Sequence, residues 1–270
     1  MSWDIDFMTE EQFEEIIGET IAQYGESLQP YNVEKFNSNV IDPVKLLFDK
    51  TIYGNSWDTQ IASEIFRQRD KSNNNGIGYF HQRIFRYIHN CRVPDNGQEG
   101  GWDVIFECPE GYRIDESNVV HRIYAEVKNK HNTMNSAATN DTYEKMKRQI
   151  TDDDDCVCML VQAIATRHKN EIWTYHRANN RRIRRVSIDE FFSIVTGQYD
   201  AFFKVCMALP EHINKVLNDG DTVTAPHDVV VDELIQSVES THPRTERDRA
   251  MLLAMYQLAF STYNGFEEGE

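Results

Sequence analysis

The hydrophobic period of this chain changes near Gly100, and that switch constrains the fold more than any other feature. Before it, apolar residues recur three and four apart, as they do on helices with one buried face. Thr9-Glu10-Glu11-Gln12 reads as a capping box, opening a helix with Phe13, Ile16, Ile17 and Ile21 on one side. Asp42-Pro43, a cap followed by proline in the first turn, opens a second helix through Val44, Leu47 and Phe48. A third covers residues 58–70 with Ile61 and Ile65, and Asn73-Asn74-Asn75-Gly76 is expected to punctuate it. A fourth then carries Phe80, Ile84, Phe85 and Ile88.

Beyond Gly100 the pattern becomes that of strands. Residues 102–108 and 119–128 read as partners, with turn residues supplied by Pro109-Glu110-Gly111 and Asp115-Glu116-Ser117-Asn118. A polar stretch leads to a helix at 142–150. Residues 156–165 suit a central strand, and 171–176 and 182–187 suit shorter ones. Helices return at 189–195, 199–209, 230–238 and after Pro243 to about 263, with 218–226 as a linker. This order predicts an α/β (α+β) protein: a mixed β-sheet core at 57–217, an N-terminal helical region at 1–56, and a linker with C-terminal helices at 218–270.

Composition narrows the function classes. The 40% hydrophobic and 27% charged content is that of a globular protein with a sizeable core, and no apolar run is long enough for a membrane span. The acidic MSWDIDFMTEEQ start does not resemble a signal peptide, so a cytoplasmic location is expected. Five cysteines, an odd number in a large chain, argue for free thiols over a disulfide framework or a zinc site. A net charge of −16 at first disfavours nucleic acid, but the acidity lies in the flanks, and cations slightly outnumber acids between Ile61 and Arg185.

The chemistry-bearing residues lie on the predicted hairpin. Alternation along His121-Arg122-Ile123-Tyr124-Ala125-Glu126-Val127-Lys128 sends Ile123, Ala125 and Val127 toward a core. Tyr124, Glu126 and Lys128 share the opposite face. Antiparallel pairing sets Asp103 opposite residues 124–127, so two carboxylates and a lysine converge where one strand starts and the other ends. Such a set can hold a divalent cation and place an ammonium beside a scissile phosphate. With 44 acidic residues, chance alone supplies about two [DE]-x-Lys triplets. Context therefore carries the weight, and the alternative is a surface ion pair on a solvated sheet face.

The segment from Tyr124 to Asn135, with Gly101-Trp102-Asp103-Val104-Ile105-Phe106 and Asn74-Asn75-Gly76-Ile77-Gly78-Tyr79-Phe80-His81-Gln82, resembles the Eco47II/Sau96-like family of type II restriction endonucleases. The likeness is clear over residues 57–146 and weaker through the following strands. It implies the PD-(D/E)xK nuclease fold, a restriction-endonuclease-like mixed sheet flanked by helices. Asp103 would match the motif's Asp, with Trp102 in place of the usual proline; Glu126 would match its acidic metal ligand and Lys128 its lysine. It further implies Mg²⁺-dependent cleavage of double-stranded DNA at a short GC-rich palindrome, GGNCC, by a homodimer. A structure-selective repair or junction-resolving nuclease, or a catalytically silent DNA-binding module on the same fold, are the competing readings.

Other residues enter as candidates. Glu64 suits a helical metal ligand as well as a solvated glutamate. Asn129, Lys130, His131, Asn132 and Asn135 form a polar stretch beyond the Glu126–Lys128 strand and read as DNA contacts. Gln82 could read DNA or cap a helix. The cations from Arg167 to Arg185 could track phosphates or decorate a hairpin. The acidic run at 152–155, at a helix-to-strand turn, is expected to face water.

Overall fold

The computed structural model describes residues 3–27, 29–217, 228–241 and 246–260. The chain divides into two compact units, one of residues 1–22 with 74–221 and one of residues 23–73 with 222–270.

The first unit is built on a six-stranded mixed sheet of order β1-β2-β3-β4-β6-β5. Its strands are β1 (Cys91–Arg92), β2 (Val104–Arg113), β3 (Val119–Lys130), β4 (Cys156–Ile164), β5 (Asn170–Ile172) and β6 (Ile183–Ser187). β2 and β3 are antiparallel, whereas β3–β4 and β4–β6 are parallel. Helix α5 (Ser136–Asp152) makes the crossover that parallel pairing demands. It packs Tyr143, Met146 and Ile150 on one face of the sheet, against Cys156, Cys158 and Leu160. The other face meets α1 (Glu10–Ser27), the end of α4 (Trp57–Ile84), α6 (Ile188–Thr196) and α7 (Ala201–Val216), through Phe13, Ile84, Phe191 and Val205. β4 is covered on both sides, which is why residues 156–161 read as one apolar run without alternation.

The second unit packs α2 (Val33–Asn37), α3 (Pro43–Tyr53), the first half of α4, α8 (Val230–Thr241) and α9 (Arg247–Phe260) around Phe36, Leu46, Trp57, Ile61, Ile65, Met251 and Met255. Arg69 forks onto Asp228, and the Trp57 indole donates to the Asp248 carbonyl. The compact units thus cut the chain differently from the boundaries expected at 56/57 and 217/218. α1 buries Phe13, Ile16 and Ile17 in the core of the sheet, while α2 and α3 share a core with α8 and α9.

Local signals held where they were chemical. The Thr9 amide donates to Gln12 Oε1 and the Gln12 amide to Thr9 Oγ1, completing the capping box. Asp42 accepts from the Lys45 amide at the start of α3. Three breaks expected from composition did not occur. Residues 73–76 lie inside α4, with Gly76 buried, because burial of Ile61 and Ile65 on one half and Phe80 and Ile84 on the other outweighs the poor helix propensity between them. Pro109-Glu110-Gly111 sits within β2, where the register to β3 shifts between Glu107 and Tyr112 and Gly111 takes φ +77°. A Cβ at Gly111 would collide with Val119 Cγ1. α7 also continues through Pro210 to Val216 instead of ending at Leu209. The expected linker at 218–226, and the last helix beyond Phe260, lie outside the described residues. Among the described residues no helix is long and apolar enough to cross a membrane.

Candidate active site

The hairpin register puts the three sequence-predicted residues together. Val104 pairs with Ala125 and Ile105 with Tyr124, so Asp103 sits one step before the paired segment, beside Glu126. The Asp103 amide donates to the Ala125 carbonyl at 3.1 Å, and Asp103 Oδ2 accepts from the Val127 amide at 2.7 Å. Backbone on both sides thereby fixes this carboxylate. Ile123, Ala125 and Val127 enter one core, and Glu126 and Lys128 stay on the other face, as alternation requires.

Glu126 is held between two ammonium groups. Lys128 Nζ donates to its Oε1 and Lys145 Nζ to its Oε2, both at 2.7 Å. Lys145 Nζ also donates to the Gly101 carbonyl at 2.6 Å and lies 4.1 Å from the Trp102 ring centroid. The Trp102 indole in turn donates to Gln149 Oε1 at 3.0 Å, one helical turn beyond Lys145 on α5. The electrostatics of the two acids diverge. Burial, then the neighbouring charge of Glu126, pushes Asp103 up to about 6, against the opposing Val127 hydrogen bond and the two lysines. Burial also acts to raise Glu126, but Lys128 and Lys145 outweigh it and hold this carboxyl below its ordinary range.

Asp103 and Lys128 open on a cleft of about 510 Å³. Asn129, Lys130 and Gln82 line it too. His131 is exposed and lies against β4, its amide donating to the Ile164 carbonyl at 3.0 Å. Asn132 is exposed and is not among the lining residues. Asn135 caps α5, its Oδ1 accepting from the Ala138 amide at 2.9 Å. Glu64 belongs to the second unit, where Arg67 engages both its carboxylate oxygens and Gln68 one of them.

Much of the basic stretch is spent internally. Arg181 pairs with Asp115, Arg182 caps α5 by donating to the carbonyls of Ile150, Asp153 and Asp154, and Arg184 grips Asn170. In the acidic run at 152–155, Asp152 and Asp154 are exposed, as expected, whereas Asp153 and Asp155 have partners. Asp153 accepts from Arg122 and Asp155 from the His121 amide, pinning the start of β3. All five cysteines are free.

Lys145 is the residue that sequence reasoning missed. Its signal was the Lys145/Gln149 pair, four apart and flanking the buried Tyr143/Met146/Ile150 stripe of the helix. Nothing local says that this side of a crossover helix overhangs the β2–β3 hairpin.

A mixed sheet whose hairpin joins Asp103, Glu126 and Lys128, with Lys145 of α5 on Glu126 and a polar cleft in front of Asp103 and Lys128, is an arrangement that suits a phosphodiester-cleaving enzyme. The comparisons give the same class. Residues 5–218 match the Eco47II restriction endonuclease family. The chain is 30% identical over 218 residues to the type II restriction enzyme Sau96I of Staphylococcus aureus, covering 76% of this chain and 78% of that one. It is 27% identical over 223 residues to the type II restriction enzyme Eco47II of Escherichia coli, covering 78% and 86%. The protein belongs to the Eco47II restriction endonuclease family and is a site-specific deoxyribonuclease that acts on double-stranded DNA.

Proposed function

We propose that this restriction endonuclease hydrolyses DNA phosphodiesters with Mg²⁺ held by Asp103 and Glu126, and with Lys128 as the residue that handles the attacking water. The observation that carries this reading is geometric: the hairpin register sets Asp103 beside Glu126 and Lys128, with the Asp103 carboxylate fixed by the Val127 amide, and Asp103 and Lys128 opening on one cleft. The donor set fits a hard divalent cation, since two carboxylates offer the oxygen ligands Mg²⁺ takes and a cation relieves their repulsion. When bound, the ion lowers the pKa of water and neutralises charge developing on the phosphate.

The chain's own groups do the rest. The Val127 amide fixes the Asp103 carboxylate, and Lys145 fixes Glu126 from the side of α5. Lys128 Nζ, now on Glu126 Oε1, is placed to orient the attacking water, to take its proton when neutral, and to offset phosphate charge when protonated. Asn129, Lys130 and Gln82 approach the duplex from the same cleft. Glu64 does not enter this scheme, because Arg67 and Gln68 occupy its carboxylate.

The core follows the PD-(D/E)xK pattern in this reading, and the target is a short GC-rich palindrome, GGNCC, by likeness to the family. A palindrome is met by a protein with two-fold symmetry, so the working form is a homodimer. We place it in the cytoplasm, as its five free thiols support. Digesting plasmid DNA with Mg²⁺ or with EDTA, and sequencing the ends, tests the proposal. Discrete fragments ending at GGNCC only with Mg²⁺ are expected; metal-independent cutting, or nicks that follow DNA structure instead of sequence, refute it.

A further inference from the structure

We propose that the cleft face of α4 is a base-reading surface, with Asn75 and Gln82 contacting base edges in the major groove and Gly78 keeping room for them. This rests on the nuclease reading above. Asn75, Gly78 and Gln82 line the same cleft as Asp103 and Lys128. They are spaced three and four apart, so they share one face of the helix. Asn75 and Gln82 stand seven residues apart, about 10 Å along the axis, or roughly three base-pair steps. An α-helix fits the major groove, and amide side chains there offer a donor and an acceptor to base edges.

Three observations set this face apart. The Asn75 and Gln82 side chains make no hydrogen bond among the described residues, whereas Gln68 on the same helix and Gln149 on α5 are both engaged. Their bonding capacity is available to a ligand.

The second observation concerns helix cost. Asn73-Asn74-Asn75-Gly76 followed by Gly78 is among the poorest helix-forming sequences a chain can carry, yet α4 runs through it unbroken. Places where local preference is overridden are where function is to be sought. Gly76 is buried. At Gly78 the φ lies outside the positive region, and a Cβ there would meet nothing within 4 Å. Neither backbone geometry nor protein packing asks for glycine at a position where alanine would make the better helix. An object that enters the cleft and approaches the α4 backbone does.

The third is charge. Lys128 and Lys130 line the cleft against a single carboxylate, Asp103. In a protein of net charge −16, such a cleft suits a polyanion.

The test compares full-length wild type with Asn75→Ala, Gln82→Ala and Gly78→Leu. The readouts are cutting rates with Mg²⁺ at the mapped site and at sites differing from it by one base, together with the melting temperature. Each amide variant should lower the ratio of the two rates about tenfold or more. Lys128→Ala, in contrast, should depress cutting at both kinds of site alike. Gly78→Leu should cut at least tenfold more slowly with no fall in melting temperature, because leucine favours the helix and its side chain points into open space. Wild-type rate ratios in both amide variants, or full-rate cutting by Gly78→Leu, overturn the inference and leave the nuclease reading standing. A wild-type protein that leaves plasmid DNA uncut overturns both.

Discussion

Two clusters in the same unit set lysines against carboxylates, and they resolve their charges in opposite ways. On the helical side, Lys215 of α7 reaches Glu10 and Glu14 of α1 at 2.8 and 2.6 Å, and His212 Nδ1 lies 2.9 Å from Glu14. The hydrogen bonds that the Lys215 ammonium donates to Glu10 and Glu14 push it up, and the same contact holds Glu14 down. Lys215 and Glu14 there stabilise each other's charge. At the hairpin end Glu126 is likewise satisfied, but Asp103 is pushed up to about 6 by burial and by Glu126 itself. By composition the helical cluster looks the better metal site, since Glu10, Glu14 and His212 offer ligand atoms within 4.8 Å of one another. Lys215 already supplies the cation there. In the function proposed above, the metal goes to the cluster whose charge is left unresolved on a rigid frame, not to the one that gathers more candidate ligands.

The largest effect expected from this contrast is on catalysis. Lys128→Ala should lower the single-turnover cleavage rate by about 10²–10³-fold or more while leaving binding to the mapped duplex intact. Retention of wild-type rate in that variant would sink the role given to Lys128.

Next in size is the stability of the metal-free protein. A carboxyl whose folded pKa is raised from 3.8 to about 6 binds its proton more tightly when folded, so stability declines as pH rises through that window. Above it the penalty is constant, on the order of 2–3 kcal/mol at 1.36 kcal/mol per unit. Asp103→Asn removes the charge and can still accept from the Val127 amide. It should melt several degrees above wild type at pH 8 in EDTA, and the gain should shrink toward pH 5. Mg²⁺ should narrow the pH 8 gap by stabilising the wild type alone. A variant less stable than wild type at pH 8 in EDTA would show that Asp103 carries no unresolved charge.

Smaller still is the contribution of Lys145. Without it, burial of Glu126 is opposed by one ammonium instead of two, so this carboxyl should titrate higher. Lys145→Met should move the acid limb of the cleavage–pH profile upward and lower the rate at pH 8 by less than tenfold. An unmoved acid limb would leave Lys145 with only a packing role against Trp102.

How much of this was legible in the sequence depended on range. The capping box at Thr9, the cap at Asp42 and the alternation that sorts Ala125 from Glu126 are local chemistry, and all three were readable. The placing of Asp103 beside Glu126 was readable as well, because two alternating strands joined by a turn leave few registers. The continuity of α4 was not: helix breakers at 73–76 are overruled by apolar residues up to a dozen positions away. Lys145 was hidden for a related reason, since the side of a crossover helix that overhangs a hairpin is decided by tertiary packing. The sharing of one core by α2, α3, α8 and α9 joins segments nearly two hundred residues apart, and no local periodicity encodes that.

The smallest expected effects test the contrast from its other side. The ion pairs of Lys215 are exposed, and such pairs contribute little because water and salt screen them. Lys215→Ala should therefore lower the melting temperature only slightly at low salt, and less at high salt. Cleavage and its Mg²⁺ dependence should stay at wild-type values. Glu14→Gln probes the same cluster as a candidate metal centre, because it removes one of the three possible ligands. If Mg²⁺ raises the melting temperature of Glu14→Gln as much as that of wild type, and fails to raise that of Asp103→Asn, the ion belongs at the hairpin. The reverse pattern would assign the metal to the helical cluster and leave Asp103 as a buried carboxyl of structural use alone.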